Sequence, residues 1–466
     1  MNTPDAPNDS PSSLPTLTST QLANLNLVYQ TTGAVPRPEA TATFTAAGKR
    51  KRVTPPRNPD RRDAGQQFLL LGKFSARGAC WDREDVRKWM EWGAVKSFDE
   101  AGKDLIAQAP AEEKAAEFAA IFDRVLATGR IDFAPLLQHA YLDKDHPERW
   151  SSLIAALCDA HKDAMTQDTN TFKTHFHFLL LPQRGDVFVP ALDGTDPKSR
   201  RGLTHGDLRL LIMPMEDRLH FPPITWGRPQ PADAPPPPPS SARRLKIEQL
   251  LARNKYHPSR KSPPSFCYPD DGYDPIDYKK NFLRGVGVVR GLRLVLLSRA
   301  KAVSGSSTIP SGCNAAIYCI QDIYPELVAY VVTHIRIAIS SVASRNDREY
   351  KYDFGELYKL ILEIFKENPA WAAETLAWLK KEVFEGLSFA AAGETDDDDS
   401  DEELESEVAK QRRSGGRSAA SKPRLNYSSM LYFLGPTFVD NLTILSRRLG
   451  ACIRGAYSEC LRPAQR

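Results

Sequence analysis

The sequence predicts a mainly α-helical protein: one large helical domain around a buried central helix, with a proline-rich insertion and disordered termini. Three observations support this prediction. Residues 322–339 (DIYPELVAYVVTHIRIAI) are apolar around nearly the whole helix circumference, which is typical of a buried helix. Apolar residues at helical spacing recur between residues 65 and 390. The flanking segments lack this periodicity and are rich in Pro, Ser, Thr or charged residues.

The central helix has a clear beginning and an apolar body. Pro325 suits the first helical turn, and Glu326 complements the positive end of the helix. A membrane span is the alternative, but His334 and Arg336 interrupt the run short of the ~18 apolar residues that a span requires. We therefore predict a buried helix and no membrane span.

Composition points to a nuclear or cytoplasmic protein that is not secreted. The net charge of +4 is too small to indicate a nucleic-acid-binding protein by itself. The seven cysteines are odd in number and scattered, which favours free thiols in a reducing compartment. The first residues contain no apolar segment that resembles a secretory signal.

Residues 1–64 are predicted to form a disordered basic arm. Within it, Lys49, Arg50, Lys51 and Arg52 are four consecutive cations, and we interpret them as a candidate nuclear-import signal. Two alternatives remain open, namely contact with nucleic-acid phosphates and a charged run that only improves solubility.

The helical domain is predicted to extend over residues 65–390. Helices are expected at 67–92 (two short ones), 109–128, 148–164, 172–181, 277–303, 354–365 and 370–384. Residues 183–270 interrupt this pattern with Pro, Gly and charged residues, including the polyproline run at 235–239. We interpret them as a partly ordered, irregular insertion that contains one short amphipathic helix at 243–253.

The remainder is predicted to be a disordered linker followed by a helix. Residues 391–425 are first acidic (394–407) and then basic (410–424). Ser400 and Ser406 lie among the acidic residues and are candidate phosphorylation sites. Residues 426–466 include an amphipathic helix that would dock on the core, enter a partner's groove or contact an anionic surface.

Two motifs that could bind a cofactor or metal do not have the required context. Gly285, Gly287 and Gly291 have G-x-G-x-x-x-G spacing with no preceding strand, so we expect them to allow close helix packing instead of phosphate binding. Cys158 and His161 are followed by His175 and His177, but on a helix the last two diverge by about 200 degrees. We predict no metal and no cofactor.

A small cationic cluster is the one anion-binding candidate in the domain. Lys198, Arg201 and His205 lie close together in the segment PKSRRGLTH, and a solvated loop is the alternative interpretation. No nucleophile elbow, P-loop or HExxH motif is present, so no catalytic residue is assigned. An enzyme stays possible because catalytic residues can be far apart in sequence.

Several short phrases carry a resemblance to a known family. They are GKFSAR (72–77), DTNTFK (168–173), RGLTH (201–205), LLIMP (210–214), YDP (273–275), NA (314–315), IRIAISS (335–341) and the helix at 378–384. Their order resembles that of uncharacterised basidiomycete proteins, a domain of unknown function from mushroom-forming fungi, over residues 66–390. Lys73 and Phe74 depart from the family's Arg-His pair. The resemblance implies one mainly helical domain without an assigned activity.

Together these features favour a non-enzymatic nuclear protein that binds a protein or nucleic-acid partner. The alternatives are an enzyme with an unrecognised active site and a protein–protein interaction module with no nucleic-acid role. The identity of the partner and the oligomeric state are left open by the sequence.

Overall fold

The structure is a computed structural model. It describes residues 14–35, 62–183, 185–229, 241–259, 262–270, 272–303, 308–309, 312–342 and 352–389. Within these ranges the chain is mainly helical, which confirms the predicted fold class.

Sixteen α-helices occur in the described ranges. They are α1 (Ser19–Thr32), α2 (Ala64–Gly78), α3 (Arg83–Phe98), α4 (Gly102–Gln108), α5 (Ala115–Ala127), α6 (Ala134–Leu142), α7 (Pro147–Leu180), α8 (Gly206–Ile212), α9 (Met215–Arg218), α10 (Ala242–Ala252), α11 (Val286–Leu296), α12 (Arg299–Val303), α13 (Asn314–Ile317), α14 (Pro325–Ile339), α15 (Phe354–Glu367) and α16 (Pro369–Phe384). The two-residue strands β1 (Thr308–Ile309) and β2 (Ser388–Phe389) pair in parallel. No helix in the described ranges is long and apolar enough to cross a membrane.

Helix α14 is the predicted central helix. All its residues from Leu327 to Ile339 are buried, and it packs against α2, α7, α11 and α15. The two polar residues in the apolar run, His334 and Arg336, are both 0% exposed. The Arg336 guanidinium lies 4.7 Å from the ring centroid of Tyr352, a cation–π contact that helps a cation remain buried. The central helix is therefore enclosed on every side, as predicted.

The close approach of α11 to α14 depends on Gly291. A Cβ atom at this position would lie 2.6 Å from Val331 Cγ1 of α14. The prediction that the glycines allow close helix packing is confirmed for Gly291. The prediction of one helical pattern over residues 277–303 is wrong, because α11 begins only at Val286. Asn281 and Leu283 before it have φ angles of 61° and 65°, which a helix cannot contain.

Helix α7 is one continuous helix of 34 residues, about 51 Å long. The prediction of two helices at 148–164 and 172–181 is wrong. The polar stretch between them obscures the apolar periodicity because Asp168 and Thr169 face the interior. Four threonines also stay compatible with the helix, since each hydroxyl donates a hydrogen bond to the carbonyl four residues earlier: Thr166, Thr169, Thr171 and Thr174.

Helix α1 corrects the prediction that residues 1–64 are disordered throughout. Thr18 and Gln21 form a capping box at its start. Leu25, Val28 and Tyr29 are buried, and the helix packs against α2. The sequence prediction missed it because a single short apolar face is a weak periodic signal.

Residues 183–270 are largely irregular, and α10 confirms the predicted short helix at 243–253. However, these residues do not pack outside the domain as an insertion would. Phe188, Leu208, Trp226 and Phe266 are buried and belong to the hydrophobic core. The segment therefore contributes to the core instead of lying outside it.

The helices after α14 match the predictions at 354–365 and 370–384, where α15 and α16 are separated at Asn368 and Pro369. The polyproline run and the predicted linker and C-terminal helix (391–425 and 426–466) lie outside the described residues.

Docking of α1 is testable with two leucines on the same helix. Replacing the buried Leu25 (Leu25→Ala) should lower the free energy of unfolding by about 2 kcal/mol, because it removes packed apolar volume. The matched substitution Leu22→Ala, at a side chain that is 49% exposed, should change it by less than about 0.5 kcal/mol. Equal effects in denaturant titrations of the two variants would contradict the docking of α1.

Candidate functional site

A buried ion pair joins α2 to α7. Arg77 Nε lies 2.7 Å from Asp168 Oδ2, and Arg77 Nη2 lies 2.9 Å from Asp168 Oδ1. This bidentate geometry is among the strongest that an arginine and a carboxylate form. Arg77 is 5% exposed and Asp168 is 8% exposed, so the pair is shielded from water.

Further hydrogen bonds extend this pair across three other helices. The Tyr330 hydroxyl of α14 donates to Asp168 Oδ2 at 2.7 Å. Arg77 Nη1 donates to Asn314 Oδ1 of α13 at 3.2 Å and to the Tyr318 hydroxyl at 3.3 Å. The amide of Asn314 donates to the carbonyl of Val295 on α11. We call Arg77, Asp168, Asn314, Tyr318 and Tyr330 the core polar network.

The charges in the network stabilise each other. Burial alone would raise the pKa of Asp168, but the Arg77 guanidinium and the Tyr330 hydroxyl outweigh it and hold the pKa below its ordinary value. Burial alone would lower the pKa of Arg77, and the carboxylate outweighs this effect as well. Both groups therefore stay charged at neutral pH.

Next to the network, Ser75 and His161 form a second buried pair. Ser75 Oγ lies 3.1 Å from His161 Nδ1, while His161 Nε2 lies 3.3 Å from the carbonyl oxygen of Trp81. A serine beside a histidine is the arrangement of a nucleophile and its base. Both side chains are 0% exposed, and the serine hydroxyl donates to the Gly72 carbonyl at 2.7 Å. The pair consequently has a structural role, because a substrate cannot reach it.

Arg201, one of the three predicted anion-binding residues, is buried and already bound to carbonyl oxygens. Arg201 is 2% exposed, and its guanidinium lies 4.3 Å from the ring centroid of Phe176. Its Nη1 donates to the carbonyls of Lys173 and Ala338, and its Nη2 donates to those of Gly194 and Asp196. Burial lowers its pKa to about 10.

The side-chain nitrogens of Lys198 and His205 also form hydrogen bonds with main-chain groups. Lys198 Nζ donates to the carbonyls of Ile337 and Ala338, where a cation complements the negative end of α14. His205 accepts from the Leu208 N–H and so caps α8. Burial also lowers the pKa of His205. Anion binding by these three residues stays a prediction, and their contacts with carbonyl oxygens lend it no support.

The metal candidates are distributed along α7. His175 and His177 lie on this helix, as expected, and the thiol of Cys158 contacts the carbonyl of Arg83 at 3.7 Å. Across the described residues, no group of three or more His, Cys, Asp or Glu side chains could hold a metal ion.

An open cleft of about 440 Å³ lies between α11, α16 and the segment before α11. Trp226, Phe266, Tyr268 and Trp378 form its aromatic walls. Three arginines also line it, and each donates at least one hydrogen bond to the protein. Arg290 donates to the carbonyls of Phe178, Leu181 and Pro182 at the end of α7.

The other two arginines of the cleft are engaged as well. Arg293 donates to the carbonyl of Glu382, and Arg284 pairs with Glu374 at 2.6 Å. The acid in the wall, Asp270, accepts from the indole N–H of Trp226 at 3.3 Å. Three of its four aromatic side chains, Trp226, Phe266 and Tyr268, are themselves buried. Its described lining residues include no paired nucleophile and base.

Sequence reasoning did not assign the core polar network. Its signal was present, because Arg77, Asp168 and Asn314 each lie in a phrase that carries the family resemblance. The structure brings these phrases together although 237 positions separate Arg77 from Asn314. The import candidates Lys49, Arg50, Lys51 and Arg52 and the phosphorylation candidates Ser400 and Ser406 lie outside the described residues.

Comparison with known proteins identifies a domain but no activity. Residues 159–384 match the model of a family of unknown function, DUF6698. The match lies within residues 66–390, over which the sequence resembles a domain of unknown function. No curated protein and no solved structure shows significant similarity to the chain.

The core polar network makes a stability prediction. Asp168→Asn should lower the free energy of unfolding by about 3–5 kcal/mol, because it leaves the buried Arg77 charge without its partner. The control is Asp159→Asn, which removes a carboxylate that is 69% exposed and paired with Arg83. Its effect should stay below about 1 kcal/mol. Similar effects of both variants in urea titrations would contradict the structural role of the network.

The same pair predicts a pH dependence. The folded-state pKa of Asp168 lies below its ordinary value of 3.8. The pair's contribution is therefore complete above the unfolded-state pKa and disappears as the pH falls through the folded-state pKa. The difference in unfolding free energy between the wild type and Asp168→Asn should be constant from about pH 7 to 5 and shrink at lower pH. A difference that grows on acidification would contradict this assignment.

Proposed function

We propose that the chain is a non-enzymatic nuclear protein that binds a protein or nucleic-acid partner. The non-enzymatic part is supported most directly by the burial of the core polar network and of the Ser75–His161 pair. The groups that most resemble catalytic residues, including Ser75, His161, Arg77 and Asp168, are buried and hydrogen-bonded to one another or to the main chain. They hold helices together, and a substrate has no access to them.

The nuclear part of the proposal rests on the four cations Lys49, Arg50, Lys51 and Arg52. A run of this kind in an accessible segment is suited to recognition by the import machinery. The fungal origin of the family that the sequence resembles stays a prediction.

An enzyme is the second candidate, and the open aromatic cleft is the observation that favours it. Clefts with apolar walls and a few polar groups are the usual sites of small-molecule binding. However, the arginines of this cleft bind carbonyl oxygens and Glu374, and Asp270 is engaged by Trp226. A third candidate is an interaction module that uses the acidic residues 394–407 as an exposed partner segment.

Nuclear localisation is the direct test of the proposal. The full chain fused to a fluorescent protein should accumulate in the nucleus. Replacing Lys49, Arg50, Lys51 and Arg52 together with alanine should shift most of the signal to the cytoplasm, because the import receptor would have no cationic ligand. Alanine at Lys410, Arg412 and Arg413 is the control for removal of positive charge elsewhere. A wild-type protein that stays cytoplasmic and is unchanged by the first variant would contradict the nuclear assignment.

A further inference from the structure

Three cations lie near one another beside α2, at the edge of the core polar network and outside the aromatic cleft. Arg62 precedes Asp63, the N-cap residue of α2, Lys73 lies within the helix, and Arg130 follows α5. We call these three residues the α2 cation face. All three lie outside residues 159–384, which match the family model.

Contacts with shared neighbours place Arg62 and Arg130 close together. The side-chain amide of Gln67 donates to the carbonyl oxygen of Arg62 at 3.0 Å. Gln67 and Arg130 line the same small depression, and Arg130 Nη2 donates to the Ala316 carbonyl at 3.0 Å. The pKa of Arg62 is lowered, first by burial; Arg130 lowers it further, while Tyr318 acts in the opposite direction.

Lys73 is the least compensated of these charges. It is half-buried, and its ammonium group has neither a hydrogen-bond nor an ion-pair partner among the described residues. Burial lowers its pKa, and the neighbouring Arg77 and Arg62 lower it further. Asp163 and Asp168 act in the opposite direction, but Asp168 is already bound by Arg77 on two oxygens.

The position of Lys73 is unfavourable in the protein alone. Lys73 and Arg77 are four residues apart on one helix, where like charges repel. Arg77 is compensated by Asp168, whereas no carboxylate of the described ranges contacts Lys73. An anion bound from outside would relieve this repulsion and would be held by several cations at once.

The sequence before Arg62 indicates which anion would bind. It contains Arg57 and Arg61 in addition to the four import candidates, so the chain enters α2 through a strongly basic stretch. A linear series of cations that continues onto a folded surface matches a linear series of phosphates. The described residues of the depression include one aromatic ring, Tyr318, which is 3% exposed. Bases of a single strand would therefore find no accessible ring to stack on there, which favours a duplex.

We propose that the α2 cation face binds the phosphate backbone of duplex DNA, with Lys73 and Arg130 as direct phosphate ligands. This inference rests on the proposed nuclear binding function and specifies the nucleic-acid form of it. Such contacts hold the protein on the duplex without reading its sequence.

The test is a salt series with the full chain and a fluorescein-labelled DNA duplex of arbitrary sequence. Each phosphate that the protein neutralises adds about 0.9 to the magnitude of the slope of log K against log salt. The double variant Lys73→Gln/Arg130→Gln should therefore bind more weakly and with a slope about 1.8 smaller in magnitude. The control is Lys359→Gln/Lys380→Gln, which removes the same charge from two surface ion pairs on α15 and α16. It should leave the slope unchanged.

A stability measurement separates binding from a structural role. Lys73→Gln should keep or raise the midpoint of thermal unfolding, because it removes an uncompensated half-buried cation. Lower stability together with an unchanged slope would show that Lys73 supports the fold and would overturn the inference.

Other outcomes are equally decisive. A wild-type chain that does not bind the duplex, or binds the single strand more tightly, would overturn the inference. The inference would also be overturned if replacing residues 49–52 with alanine abolished DNA binding while Lys73→Gln/Arg130→Gln left it unchanged. In each case the proposed function is judged separately, since nuclear localisation and a protein partner do not depend on the α2 cation face.

Discussion

The Arg77–Asp168 ion pair is the interaction on which the arrangement of the helices depends. A buried ion pair adds little net stability, because removing two charges from water costs about as much as their attraction returns. Its effect is on specificity. The two hydrogen bonds of the pair, together with those of Tyr330, Asn314 and Tyr318, connect α2, α7, α13 and α14. We infer that they favour this alignment of the helices over others. Apolar packing around the pair then supplies the stability, with α14 at its centre.

The sequence predicted the helices whose environment is simple. Helix α14 is apolar all round, and α15 and α16 have one apolar face each, so their periodicity was readable. Prediction failed where a polar residue faces inward. Asp168 and Thr169 look like surface residues in a sequence, and they obscured the middle of α7. The partner of Asp168, Arg77, is 91 positions away in the sequence, a separation that local periodicity cannot bridge.

The candidate sites also depend on contacts between residues that are far apart in the sequence. Lys198, Arg201 and His205 were grouped by their closeness in sequence, but a sequence gives the charge of an arginine and not its acceptors. The acceptors of Arg201 are carbonyls from three separate segments, which only the folded chain brings together. The sequence does not reveal the α2 cation face, because its residues are far apart along the chain. In the sequence, Arg62, Lys73 and Arg130 are three separate cations with no shared motif, and only the folded chain brings them near one another.

The match to the known family begins at residue 159, in the middle of α7. The segment that matches the family model is therefore shorter than the segment that folds together. A fragment cut at the start of the match would contain Asp168 without Arg77, and α14 without the wall that α2 provides. Expression of the recognisable region alone would thus be expected to give an aggregating polypeptide. The α1–α2 segment would have to be retained to obtain a stable domain.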